Sequence, residues 1–187
     1  MSIEQRKNVE GAIFLVLFCL TVPAANWMIG NVGTVCSSGS PCLVPVAPGI
    51  MAPSGVLMIG AALVLRDLVQ RRLGPEFGIG AIIAGAAISA AVAPAALVVA
   101  SAFAFLLSEA ADFAIYTPLA RRRLVLAVVA SSMAGLVVDS IVFLWLAFGS
   151  LDFLLGQIIG KAWMVLLAVP LVAWLRRRDE RLGLSPA

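Results

Sequence analysis

Glu109 and Asp112 stand three residues apart in SEAADFAIYTP (Ser108–Pro118), a stretch otherwise almost wholly apolar. Three residues is close to one helical turn, so both carboxyls share a helix face. A carboxylate facing hydrocarbon would be costly, so that face must look onto protein, water or a ligand. Asp139 in VVDSIVF, Lys161 in GQIIGKAW and Asn26 beside Trp27 raise the same question, and Gln157 shares a face with Lys161 four residues on. The three carboxylates outnumber the single lysine, so at least one needs a proton, a cation or a ligand donor. A carboxylate accepts paired N–H donors, and Gln, Asn or Lys supplies the complementary bonds. Histidine is absent. That removes His dyads, His triads and the usual His metal ligands, so no metal, no cofactor and no enzyme activity are expected.

Such residues must be carried by elements that hold them inside a membrane. The chain has 187 residues, 62% hydrophobic and only 12% charged, with mean hydropathy +1.07. A soluble domain of this length would carry more charge. The composition therefore points to an all-α polytopic membrane protein in a single domain over residues 1–187. Spans are predicted at about Gly11–Met28, Pro53–Leu68, Phe77–Ala93, Ala95–Pro118, Leu124–Phe148 and Phe153–Leu175, with Pro94 breaking the pattern between the third and fourth.

The cations orient these six spans. Arg6 and Lys7 precede the first; Arg66, Arg71 and Arg72 end the second; Arg121, Arg122 and Arg123 separate the fourth and fifth; Arg176, Arg177, Arg178 and Arg181 follow the sixth. All lysines and arginines except Lys161 then fall on one side, which places both termini in the cytoplasm. The expected location is a bacterial inner membrane. Arg6-Lys7, the apolar run and VPAAN also fit a signal peptide, but the run is long for one and is read as a span. The pI near 9.1 reflects these clusters, so nucleic acid is not an expected partner and membrane lipid is.

Helical rise gives depths. Counting from the nearest inner cluster, Asn26, Glu109, Asp139 and Lys161 fall roughly 18–24 Å up, and Asp112 roughly 13 Å. Four helices thus offer polar groups in one layer, as a midplane binding site requires. A simple Lys161–Asp139 packing pair is the plainer alternative. Trp27 and Trp163 adjoin this layer and offer a face for a flat ligand, or else belong to an interfacial belt. Arg66 and Asp67 read first as topology determinants, with Asp67 close to Arg71 at four-residue spacing, or as an inner gate. Arg66, Asp67 and Asp112 are the candidates for gating or proton coupling. Ala81, Gly85 and Ser89 form a small face suited to tight helix packing. The first outer loop is rich in Gly, Ser and Pro and reads as irregular; its Cys36 and Cys42 either close a small disulfide or stay free. Small-residue faces also leave oligomerisation open.

LRDLVQRRLG (Leu65–Gly74), SEAADFAIYTPL (Ser108–Leu119), VVDSIVF (Val137–Phe143) and GQIIGKAW (Gly156–Trp163) occur in this order. Together they resemble the vitamin uptake transporter family, in particular its queuosine precursor branch. The resemblance implies a six-helix bundle similar to the vitamin-binding S-components of energy-coupling transporters. It also implies import of 7-cyano-7-deazaguanine or 7-aminomethyl-7-deazaguanine, a purine-like small molecule. A deazaguanine presents N1–H and an exocyclic amine side by side. Glu109, with Asp139 as the rival, would take that edge; Gln157, Lys161 and Asn26 would take the acceptor edge, with Trp27 or Trp163 stacked on the ring. The chain is short for the family, with a brief third span and an unusual cysteine-bearing loop. The same residues leave open an S-component for another heterocycle, a membrane enzyme and an assembly protein.

Overall fold

Apolar runs with few breakers become helices here. The computed structural model describes residues 3–36, 41–92 and 98–183. Among them are six helices: α1 (Ile3–Asn31), α2 (Val56–Leu73), α3 (Pro75–Val92), α4 (Val98–Ala120), α5 (Leu124–Phe148) and α6 (Leu154–Leu182). Pro94 lies outside the described residues. Five of the helices are long and apolar enough to cross a membrane; α2 is not among them. A belt of exposed Leu, Ile, Val, Phe and Trp, including Ile13, Leu20, Ile83, Phe103, Trp145 and Leu167, wraps the bundle. Apolar surface on that scale belongs against lipid, and the chain is a multi-pass membrane protein.

The reason α2 falls short is its position. It packs on α1, α3, α4, α5 and α6, and its buried residues include Leu63, Val64 and Leu68 on one core and Ala62 and Val69 on another. A helix surrounded by protein needs no uniformly apolar surface, because neighbouring side chains can satisfy its polar groups. Arg66, Asp67, Gln70, Arg71 and Arg72 are all buried. This corrects the reading of Arg66 as an interfacial cation: it is 0% exposed inside the bundle.

The first outer loop is also more regular than expected. Residues Leu43–Ala47 (β1) and Ile50–Pro53 (β2) pair as an antiparallel hairpin, turning at Gly49, whose φ of 73° suits glycine. Cys36 and Cys42 form a disulfide. The hairpin lies against the start of α6: an added Cβ at Gly156 would run into the Met51 carbonyl oxygen. Trp163 Nε1 donates to the Val46 carbonyl at 2.9 Å, and Cys42 N donates to the Ile29 carbonyl at the end of α1.

At the opposite end, charge ties three helices. Asp179 on α6 accepts from Arg71 Nη2 at 2.8 Å and from Arg72 Nη1 and Nη2 at 2.8 and 3.0 Å. Glu10 on α1 pairs with Arg72 at 2.9 Å and with Arg178 at 2.6 Å. So Arg71 pairs across the bundle with Asp179, while its expected neighbour Asp67 looks elsewhere. The small face of α3 packs as expected: a Cβ at Gly85 would meet the Phe105 ring at 2.6 Å, and Phe105 lies 6.0 Å from Phe18 between centroids.

Candidate functional site

The polar residues of the membrane layer divide into two groups. In the first, Lys161 on α6 reaches between α5 and α6. Its ammonium donates to Ser140 Oγ at 2.8 Å, to Gln157 Oε1 at 2.9 Å and to Asp139. All three ammonium protons therefore have acceptors, two from α5 and one from a turn earlier on α6. Lys161 sits here because Gly60 of α2 lets α6 come close: an added Cβ there would lie 2.7 Å from the Lys161 carbonyl oxygen.

This group forms one wall of a cavity of about 140 Å³. Asn26, Ser89, Ser101, Asp139, Gln157 and Lys161 are its polar lining; Phe105, Phe143, Ile29, Ile59 and Val56 supply much of the rest. Helices α1 to α6 all contribute. A few converging polar groups on an apolar wall are the usual make-up of a small-molecule site. The volume is of the order that admits a single small ring system. One carboxylate and one ammonium in its wall leave the cavity close to neutral, so it suits an uncharged ligand better than an ion.

Asn26, Asp139, Gln157 and Lys161 are thus brought together in one lining. Trp27 and Trp163 are not: they are 61% and 51% exposed and do not line the cavity. Phe105 and Phe143 provide the aromatic walls instead. Residue type alone does not separate these phenylalanines from lipid-facing ones, because the two read alike in sequence.

Glu109 belongs to the second group, around Arg66. Arg66 Nε donates to Glu109 Oε2 at 3.1 Å, Nη1 to Gln70 Oε1 at 3.1 Å, and Nη2 to Asp112 and, at 3.4 Å, to the Glu109 carbonyl. Asp67 lies 2.9 Å from Arg66 Nη1, and its other oxygen accepts from Ser131 Oγ at 3.0 Å. The guanidinium lies 5.5 Å from the centre of Phe113 and 5.8 Å from that of Tyr116. Arg66, Asp67 and Asp112 are 0% exposed and Glu109 is 1% exposed. The expected sharing of one hollow by Glu109 and Lys161 is therefore corrected, since Arg66 holds Glu109 in a separate cluster. Depth counting missed this because it fixes height along a helix and not the direction a side chain takes around it. Asp139 lies one turn along α5 from Gly135, where an added Cβ would meet Asp112 Cβ at 3.1 Å and the Ser108 carbonyl oxygen at 3.2 Å, so the two groups are neighbours across α4 and α5.

Residues 89–175, from the end of α3 into the last third of α6, match the model of the family described as "Putative vitamin uptake transporter". This stretch carries Glu109, Asp112, Ser131, Asp139, Gln157 and Lys161, while Asn26, Arg66 and Asp67 lie outside it. Comparison with curated proteins and with solved structures finds no match.

Proposed function

We propose that the chain is a membrane transporter that moves a small, uncharged, planar heterocycle through the cavity lined by Asp139, Gln157 and Lys161. Within the family matched at residues 89–175, its cargo is a 7-deazaguanine precursor of queuosine, imported across a bacterial inner membrane. The observation that carries this reading is the polar wall of Asp139, Gln157 and Lys161 on an otherwise apolar hollow. Asp139 accepts the paired N–H donors of the guanine-like edge, a charge-assisted arrangement. Gln157, Lys161 and Asn26 complete the other edge, and Phe105 or Phe143 flanks the ring. Near-neutrality of the wall favours the uncharged 7-cyano compound over the cationic 7-aminomethyl one. Alternating exposure of the cavity by rocking of helices is the mode of transport.

Uptake of labelled 7-cyano-7-deazaguanine by cells unable to make it tests the reading. Native protein restores uptake, and Asp139→Asn lowers it by roughly 10- to 100-fold, the scale of a lost hydrogen bond to a charged group. Native protein that is well expressed in the membrane yet restores no uptake would overturn the substrate assignment. Co-purification of ATPase subunits would instead identify the chain as the binding component of an energy-coupled importer.

A further inference from the structure

We propose that the Arg66 cluster is a proton store, in which Asp67, Glu109 and Asp112 together hold two protons beside one guanidinium, and that a proton moves through it with each substrate. The coupling half of this rests on the transport reading above; the storage half does not.

Charge and burial make the case. Three carboxyl groups surround one guanidinium, and none of the four residues is more than 1% exposed. Fully ionised, the group would carry two excess negative charges in the buried interior, each costing several kcal/mol. Carboxylates crowded in one site cannot all ionise. Two protons restore neutrality. A second observation points the same way: Asp112 Oδ1 and Tyr116 Oη are buried with no hydrogen-bond partner among the described residues.

Among the described residues, the surroundings supply no alternative neutralising charge. From α2 come Arg66, Asp67 and Gln70, and one turn on Arg71, whose guanidinium is held by Asp179. From α4 come Glu109, Asp112 and Tyr116. From α5 come Ser131, bonded to Asp67, and Asp139, one turn along from Gly135, which faces Asp112 Cβ; Asp139 is itself paired with Lys161 of α6. Helix α3 approaches through Gly78, beside Phe113 and Gln70, and its one charged residue, Glu76, is exposed. Among the described residues no set of three or more Asp, Glu, Cys or His side chains converges in metal-ligand geometry. The occupant that fits is a proton.

Asp139 links store and cavity. A ligand that donates to Asp139 changes the field at Glu109, and by linkage the protonation of the cluster changes ligand affinity. Each cycle takes a proton from the outer solution onto a cluster carboxylate. When the cluster opens inward, that O–H bond breaks and the proton passes to inner water, with no other reactant.

Proteoliposomes holding the purified protein decide the matter, with labelled 7-cyano-7-deazaguanine as probe. Counterflow at equal pH reports transport alone. A one-unit pH gradient, acidic outside, is expected to raise steady-state accumulation by about tenfold per coupled proton. Asp112→Asn is expected to keep counterflow and lose that rise. Counterflow with no response to the pH gradient, or with a response to a sodium gradient instead, overturns coupling through this cluster. Absence of counterflow by native protein overturns the transport reading and the coupling with it. Infrared spectra of the purified protein at neutral pH decide storage independently. Native protein should show the carbonyl band of buried protonated carboxyls, and Asp112→Asn, or Glu109→Gln if the first variant does not fold, should diminish it. A native spectrum without that band overturns the store, whatever transport does.

Discussion

Arg66 uses its planar fork to join a neighbour on its own helix, a carboxylate one turn along α4 from another, and a backbone carbonyl, while its face lies toward Phe113 and Tyr116. A lysine could not make these bonds in several directions at once. Removing the guanidinium leaves three buried carboxyls without their cation, so Arg66→Met should lower stability by roughly 3–5 kcal/mol. Thermal unfolding in detergent reads this directly, and an unchanged midpoint would contradict the described cluster. The Lys161–Asp139 pair offers the complementary case. Lys161→Met alone strands Asp139, whereas Lys161→Met with Asp139→Asn removes both charges. The double variant should recover most of the stability lost by the single one, and under the proposed function it should still not take up substrate. Failure of the second change to recover stability would mean that the two residues are not partners.

At the scale of elements, glycines decide which helices touch. Gly60 faces the backbone of α6, where an added Cβ would stand 2.7 Å from the Lys161 carbonyl oxygen and 2.9 Å from Met164 Cβ. Backbone cannot step aside as a side-chain end can, so Gly60→Ala should cost about 1–3 kcal/mol and displace Lys161 from the cavity wall. Gly80 is the internal control, because a methyl group added there would meet nothing within 4 Å. Gly80→Ala should be neutral or stabilising by up to about 1 kcal/mol, the gain in helix propensity. Equal effects of the two substitutions would argue against close α2–α6 packing. The same logic explains the hairpin: Gly156 admits the Met51 carbonyl and Trp163 bonds Val46, so a loop that composition marks as irregular becomes a braced cap.

For the whole molecule, alternating direction of the helices places the hairpin with the end of α1 and the starts of α2 and α6. It places the Arg71–Arg72–Asp179–Glu10 network at the other end. Under the proposed function the arginine-rich end faces inward, which puts both termini in the cytoplasm. A reporter fused after Ala187 that is active only in the cytoplasm should be active. A periplasmic reporter inserted between residues 47 and 50 should be active as well. The reverse pattern would invert the direction assigned to transport.

Much of this was legible in the amino-acid order. Apolar runs mark six helices, of which five are long and apolar enough to cross a membrane, and α5 begins at Leu124 and ends at Phe148 as predicted, because span length answers to the bilayer. The height of Asn26, Glu109, Asp139 and Lys161 along their own helices is readable because helical rise is constant. Only the tertiary structure decided that α2 is enclosed by other helices, that Arg66 therefore lies inside with Glu109 and Asp112, and that phenylalanines rather than tryptophans wall the cavity. The physical reason is that rise along an axis is a local property of the chain. The direction a side chain faces, and what meets it there, depends on how separate helices are rotated and packed, and no single segment encodes that.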